Sequence, residues 1–320
     1  MDDQRPCLDR GDNSLPGNTK SGKTVREDQN EKENQGRFTY IALTMIAFVF
    51  VAPIIWMFHP SIQEQVEGMA YPSVFWSKPI LQAYIAVIQG VSQYASHSGN
   101  VSPFPLPLRN SLTIATGCTL LVALLGIPAA YALSRFTLRR GQDIQFFVLS
   151  PRLMPRIVPV IALYLVFRSV NLLGTLQSVI LVETVWVIPL VVWVVKTLFD
   201  DVPLSVEEAG LLDGLSRPNV LVRTTIPLAI RGIVATLLLS FVFVFNDLLT
   251  PLVLTSLYSQ TLPVHITGLW GTYGLAWTSI GAEAILMIIP QLSTLLMFLE
   301  DRHLEPFDSH CFQGSILTTR

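Results

Sequence analysis

Charged residues are scarce in this chain, and the scarcity excludes an ordinary soluble domain. Asp, Glu, Lys and Arg make up 14% of the 320 residues, hydrophobic residues make up 51%, and the mean hydropathy is +0.50. The apolar residues gather in runs of about twenty, the length that a helix needs to cross a bilayer. The composition therefore predicts a membrane protein.

Cysteines are few, and no complete metal, nucleotide-binding or catalytic site is predicted. Cys7, Cys118 and Cys311 form an odd set without metal-ligand spacing, so neither a zinc site nor a disulfide framework is expected. Residues 17–24, GNTKSGKT, match the pattern G-x-x-x-x-G-K-[ST], but a phosphate loop follows an apolar strand and the residues before this match are polar, so no ATP site of that kind is expected. No signal peptide fits, because the first apolar run starts too far from the N-terminus. No catalytic pair with suitable spacing occurs either.

Three segments differ in composition. Residues 1–38 are polar and rich in Gly, Asn and Asp, so we expect a disordered tail. Residues 39–303 hold the apolar runs and form the predicted six-span transmembrane domain, and residues 304–320 form a C-terminal tail. The expected spans are 40–58, 111–133, 144–167, 179–195, 232–254 and 282–299.

The positions of the basic residues predict how the chain is oriented in the membrane. If the N-terminus is inside, the inner segments carry sixteen Lys and Arg residues and the outer segments carry three. Cytoplasmic loops are enriched in these residues. We therefore expect both termini, and the connection between the fourth and fifth spans, on the cytoplasmic side.

That connection, residues 200–230, is the longest polar interruption of the hydrophobic half. Pro203 and Ser205 precede Glu207 and Glu208, the order expected at the start of a helix, with Ser205 as the capping hydroxyl. Asp213-Gly214 follows and is typical of a tight turn. Since a bare loop would join two spans with fewer residues, this stretch is expected to dock a partner.

The same stretch resembles a known motif. Glu208-Ala209-Gly210, then Asp213-Gly214, then Ile226-Pro227 is similar in spacing and position to the EAA motif of permease subunits from binding-protein-dependent ABC importers. The stretches RNSLTIATGCTLLVALLGIPAAYALSRF, SPRLMPRIVPVIALYLVFRSVNLLGT and FNDLLTPLVLTS resemble the second permease of maltose-type importers, so the similarity covers most of residues 40–300. The departures are Gly210 for Ala, Arg156 for a second Pro, Phe245 for Trp, and a C-terminus without the G-A-V-K-G ending.

The resemblance implies an all-α transmembrane fold with six helices and a cytoplasmic coupling helix between the fourth and fifth spans. It implies a multi-pass transport subunit, not an enzyme, in a bacterial cytoplasmic (inner) membrane, taking up a sugar, a polyol or a glycerol phosphate. The implied partners are a dimeric cytoplasmic ABC ATPase that binds the ATP, a second six-span permease as heterodimer partner, an external solute-binding protein and the lipid bilayer. No nucleic acid, metal or cofactor of its own is expected.

Two groups of residues follow as candidate sites. The resemblance assigns ATPase coupling to Glu208, Ala209, Gly210, Asp213, Gly214, Ile226 and Pro227. The second group consists of polar residues inside or near the spans, where charges are costly and face a cavity or a partner: Arg152, Arg156, Glu183, Asn246 and Asp247. We expect Arg156 to pair with Glu183 or Asp247 beside the translocation path; the alternative is that these charges only hold the spans together.

Other interpretations remain open at this point. The chain could be a degenerate or solitary permease-like protein without ATPase coupling. It could also be an intramembrane enzyme using His59, Glu183 and Asp247, although that leaves the stretch 200–230 unexplained. The five histidines, among them His265, are expected at the surface.

Overall fold

The computed structural model describes the backbone over residues 21–64, 79–89, 104–137, 139–271, 274–275 and 277–300. The helices are α1 Ser21–Ser61, α2 Gln82–Gln89, α3 Pro105–Arg135, α4 Gly141–Leu153, α5 Ile157–Ser169, α6 Leu176–Asp200, α7 Leu204–Leu212, α8 Arg217–Val220, a π-helix Leu221–Thr225, α9 Ile226–Phe245, α10 Leu249–Leu254, α11 Leu262–Gly268 and α12 Trp277–Glu300. Two short strands, β1 Trp270–Gly271 and β2 Gly274–Leu275, pair antiparallel with Trp270 opposite Leu275. The described part of the chain is thus almost entirely helical.

Within the described residues, five helices are long and apolar enough to cross a membrane, and the pair α4 and α5 counts as a sixth span if its two halves cross together. These two helices meet at an angle of 90°. The third span was predicted over 144–167, and α4 and α5 together occupy this range with a sharp break between them. The break lies at Met154, which has an extended backbone (φ -89°, ψ 142°). Met154 precedes Pro155, and the residue before a proline is driven out of the helical region.

The helices also begin at other residues than expected. The fifth span forms one helical run over Arg217–Phe245, not 232–254. The run includes the π-helix and continues beyond Pro227. A π turn next to a proline lets a helix continue where a regular hydrogen bond is lost. Residues 256–280, which separate the expected fifth and sixth spans, contain α11 and the strand pair.

The structure describes only part of the two predicted tails. Residues 1–20 and 304–320 lie outside the described residues. α1 begins at Ser21, so residues 21–38, which we expected to be disordered, are helical. Lys, Glu, Gln and Arg recur there and are strong helix formers, which explains why the helix of the first span extends into this segment.

By its contacts the chain divides into two compact units, residues 1–56 and 57–320. In the first unit, the apolar side chains of Tyr40, Met45 and Phe50 are exposed. The second unit has a core between α3 and α6, which is crossed by α9. The fully buried side chains there include Ile114, Val122, Val179, Val191, Ile233 and Phe245. Because β-branched residues fill this core, α3 and α6 pack closely along their length.

Candidate functional site

The helix α7, Leu204–Leu212, forms the centre of the stretch that was expected to dock a partner. Pro203 occupies the cap position with an extended ψ of 131°, so the helix begins at Leu204 and Ser205 lies inside it. Ser205 is therefore not the capping residue that the sequence suggested. A proline suits this position because the first amide groups of a helix have no intrahelical partner.

The end of α7 is a Schellman motif. The amide of Leu215 donates to the carbonyl of Gly210 at 3.1 Å, and the amide of Gly214 donates to the carbonyl of Leu211 at 3.1 Å. Gly214 has a φ of +86°, the left-handed conformation that this motif requires. Asp213 and Gly214 thus form the tight turn that the sequence predicted.

The two faces of α7 differ in exposure. Glu208, Ala209, Leu212 and Asp213 are exposed, and the side chain of Leu212 is 89% accessible. Glu207 and Gly210 are buried on the opposite side. Consecutive helical residues point about 100° apart, so only one of two neighbouring glutamates can face outward. α7 therefore presents a surface of leucine, alanine and carboxylate groups that faces away from the rest of the second unit.

The buried face of α7 is held by a cluster that we call the α7 anchor: Tyr131, Arg135, Glu207 and Thr225. The Nε of Arg135 lies 2.8 Å from Oε1 of Glu207, and the side chains are 5% and 7% exposed. The hydroxyl of Thr225 donates to Oε1 at 3.0 Å, and that of Tyr131 donates to Oε2 at 3.1 Å. Both oxygens of this buried carboxylate are thus satisfied, as a buried charge requires.

Arg135 has further partners. Its Nη2 donates to the backbone carbonyls of Phe199 and Val202, both at 2.8 Å. These carbonyls lie at and just after the end of α6, where helical carbonyls lack intrahelical partners and a cation is favourable. Arg135 was not among the residues predicted to form a site, and the structure buries its side chain. The signal in the sequence for this burial is the position of Arg135 at the end of the charge-free second span.

Ile226 and Pro227, the last residues assigned to coupling, lie at the start of α9. Pro227 is exposed and follows the π-helix, whose altered hydrogen-bond pattern accommodates a residue without an amide hydrogen. Thr225, which immediately precedes these two residues, bonds to Glu207 of the α7 anchor.

A second cluster, the membrane triad, consists of Arg156, Glu183 and Asp247. The Nη2 of Arg156 donates to Oε2 of Glu183 at 3.0 Å, and its Nη1 donates to Oδ1 of Asp247. The guanidinium also lies over the ring of Trp186, 5.2 Å from its centroid. The expected pairing of Arg156 is found, and it involves both carboxylates. The break in the third span allows this, since Arg156 sits at the start of α5.

The other oxygen of Asp247 accepts from the amide of Thr250 at 3.0 Å and so begins α10. Arg152 lies on the other side of the break, and its Nε donates to the carbonyl of Trp186 at 3.2 Å. Asn246 is not part of the cluster: it is exposed and exchanges hydrogen bonds with Gln291 on α12. The structure therefore brings four of the five expected residues together.

A cavity of about 290 Å³ opens beside the triad. Its lining combines two guanidinium groups, a carboxylate and apolar side chains: Arg152, Met154, Arg156, Glu183, Trp186, Val187 and Phe243. Pockets that bind small molecules have a similar mixture of apolar walls and a few polar groups. The cavity can offer hydrogen-bond donors to a polar solute at a depth where lipid offers none.

His265 is a functional candidate that the sequence did not reveal. It is buried, and its Nε2 lies 3.3 Å from Oε1 of Glu283, which is buried as well. Its Nδ1 lies 3.2 Å from the amide nitrogen of Gln260. An amide nitrogen only donates, so Nδ1 accepts and the neutral ring carries its hydrogen on Nε2, toward Glu283. The expectation of a surface histidine is wrong, because the partner carboxylate comes from a different helix.

Comparison with known proteins agrees with this architecture. The chain is 33% identical over 185 residues to a putative ABC transporter permease protein, ORF1, of Streptomyces antibioticus, which covers 58% of this chain and 81% of the relative. It is 29% identical over 260 residues to the trehalose/maltose transport system permease protein MalG of Thermococcus litoralis, covering 81% and 90% of the two chains. No family model matches.

Among solved structures, a chain of a bacterial ABC transporter involved in the import of the acidic polysaccharide alginate superposes with a TM-score of 0.67. The match covers 84% of this chain and 97% of the other at 19% identity, so it shows the fold. This chain belongs to the family of ABC transporter permeases. It is a multi-pass membrane subunit of an importer and has a transport role.

Proposed function

We propose that this chain moves a sugar or a related solute, such as a polyol or a glycerol phosphate, across the inner membrane with energy from a separate ATPase. The observation that carries the proposal is the outward face of α7, with Glu208 and Leu212 exposed while the opposite face is anchored. A short helix held rigidly at the surface is suited to seat in a groove of another protein. A relative transports trehalose and maltose, which supports the solute class.

In this proposal the ATPase is a dimer, and it hydrolyses the ATP on the cytoplasmic side, where both termini also lie. Glu208 offers its carboxylate to a basic group of the ATPase. Ala209 keeps the outward surface of the helix low, Gly210 lets the buried face lie close to Val220 and Thr224, and Gly214 gives the turn that lets α7 project. A second, paralogous permease completes the membrane pore, and an external binding protein delivers the solute. The positive-inside distribution of Lys and Arg supports this orientation.

Affinity purification of the tagged chain from its native membranes tests the docking. We expect an ATPase and a second permease to co-purify, and the ATPase to be lost on Glu208→Lys or Gly214→Asp while the chain remains inserted. Asp143→Lys is the matched control, since Asp143 is also an exposed acid on the predicted cytoplasmic side. Retention of the ATPase by both α7 variants would contradict the docking role. A native chain that brings down no ATPase would favour the solitary permease-like protein instead.

We also propose that the cavity beside the membrane triad lies on the solute path. Arg152 lines it and is exposed, although it belongs to a membrane span, and the part of the chain described here supplies no carboxylate within ion-pair distance of it. A guanidinium in such a place can donate hydrogen bonds to solute hydroxyl groups. Arg152→Ala should lower uptake without loss of assembly, whereas Arg168→Ala, at the exposed end of α5, should not. Equal uptake by the two variants would remove Arg152 from the path.

A further inference from the structure

The α7 anchor connects more elements than docking alone requires. Arg135 belongs to the last turn of α3, holds two carbonyls at the end of α6, and pairs with Glu207 of α7. Glu207 in turn accepts from Thr225 in the π-helix that leads into α9. One guanidinium and one carboxylate therefore join the ends of three long helices to the short helix between them.

A buried ion pair gains little net stability, because the cost of desolvating both charges offsets their attraction. Both side chains of the pair are almost fully removed from solvent. Packed apolar residues of similar volume stabilise such a site at least as well, because they carry no desolvation cost. The charged pair adds a defined geometry, because each of its directional hydrogen bonds fixes one orientation of α7 relative to α3 and α6.

The chain around α7 does not fix that orientation by itself. Three residues, Asp201–Pro203, separate it from α6, and Leu215 and Ser216 separate the turn from α8. Short connections of this kind limit how far a helix travels, but they leave it free to rotate. Glu208, one position along, is exposed and has no such role.

We propose that Glu207 and Arg135 are positioning residues that make α7 move as one body with the ends of the second and fourth spans, so that a displacement of α7 by the ATPase reaches the membrane. This rests on the proposed docking of an ATPase on α7. Glu208 acts between the chains, and Glu207 acts within the chain. Loss of Glu208 therefore affects assembly, and loss of Glu207 affects coupling.

The test compares Glu207→Gln with the matched control Glu208→Gln in the complete transporter, reconstituted in proteoliposomes with its ATPase, second permease and binding protein. Glutamine keeps the shape of the side chain and removes the charge that Arg135 binds. For Glu207→Gln we expect the ATPase to remain bound, and the solute transported per ATP to fall roughly tenfold, the size of an ordinary coupling free energy between two sites. Glu208→Gln should lose bound ATPase, with transport per ATP of the remaining complexes unchanged.

A distance measurement covers the case in which Glu207→Gln does not insert. Spin labels at Ser205→Cys and Leu124→Cys, both exposed, report the distance from α7 to α3 in the otherwise native complex. Cys7 and Cys311 are replaced by Ser, and Cys118 is buried. We expect the distance to be the same with and without trapped ATP.

A change of more than about 2 Å, the scale of helix shifts in such transitions, would overturn the inference. Native transport per ATP in Glu207→Gln would overturn it as well. A native complex without any ATPase is a different failure, because it removes the proposed function and the inference together.

Discussion

Replacing Arg156 by methionine is the sharpest test of the membrane triad. The substitution keeps the length and apolar stem of the side chain and removes its charge. Glu183, 1% exposed, and Asp247, 9% exposed, then face each other without the guanidinium between them. The two buried carboxylates then repel each other without a compensating cation.

The size of the effect follows from the burial of the three groups. Breaking a buried ion pair by removing one partner costs about 3–5 kcal/mol, because the remaining charge is buried without compensation. The second carboxylate raises this cost, while the partial exposure of Arg156, 36% for its side chain, lowers it. We therefore expect about 3 kcal/mol, which corresponds to a fall in Tm of roughly 4–5 °C for a chain of 320 residues.

Thermal unfolding of the purified transporter in detergent measures this shift, and a compensating variant is the control. The triple variant Arg156→Met, Glu183→Gln, Asp247→Asn removes all three charges together and leaves two amides that can hydrogen-bond to each other. It should recover most of the lost Tm. If Arg156→Met unfolds at the native temperature, or the triple variant is no more stable than the single one, the charge pairing in the triad does not stabilise the protein as its geometry indicates.

The triple variant also separates the two roles left open by the sequence. A stable triple variant that no longer takes up solute would place the triad on the translocation path. A stable triple variant with normal uptake would mean that the charges hold the third, fourth and fifth spans together without contacting solute.

Three further substitutions are checked by the same unfolding measurement. Gly214→Ala should cost about 1–2 kcal/mol, because its φ of +86° is unfavourable for a residue with a Cβ; an unchanged Tm would contradict the Schellman turn. Gly210→Ala should gain about 0.5–1 kcal/mol, since its nearest neighbours would lie at 3.5–3.7 Å, and a loss would show that α7 packs more tightly. His265→Leu should cost about 1–3 kcal/mol, because Glu283 stays buried without the hydrogen-bond donor of the ring, and His265→Leu with Glu283→Leu should recover most of it; a double variant as unstable as the single one would argue against the pair.

The membrane class and most span positions were predictable from the sequence, because a bilayer requires apolar runs of a fixed length whatever their neighbours are. The turn at Gly214 was predictable for a similar reason, since few residues other than glycine adopt a left-handed backbone readily. The resemblance to importer permeases also rested on local spacing between residues 208 and 227. The family found by comparison agrees with it.

The sequence could not decide which of two adjacent glutamates faces inward. Glu207 and Glu208 have the same chemistry, and only the folded position of α7 beside the end of α3 selects Glu207 for Arg135, 72 positions away in the chain. For the triad the sequence offered two possible carboxylates, and only the fold shows that Arg156, at the 90° break of the third span, binds both, one of them 91 positions away. The partner of His265 was not predictable either, because it lies on another helix. Local sequence determines the hydrophobic length and backbone conformation of each helix, but the pairing of charges depends on distances between helices, which exist only in the folded chain.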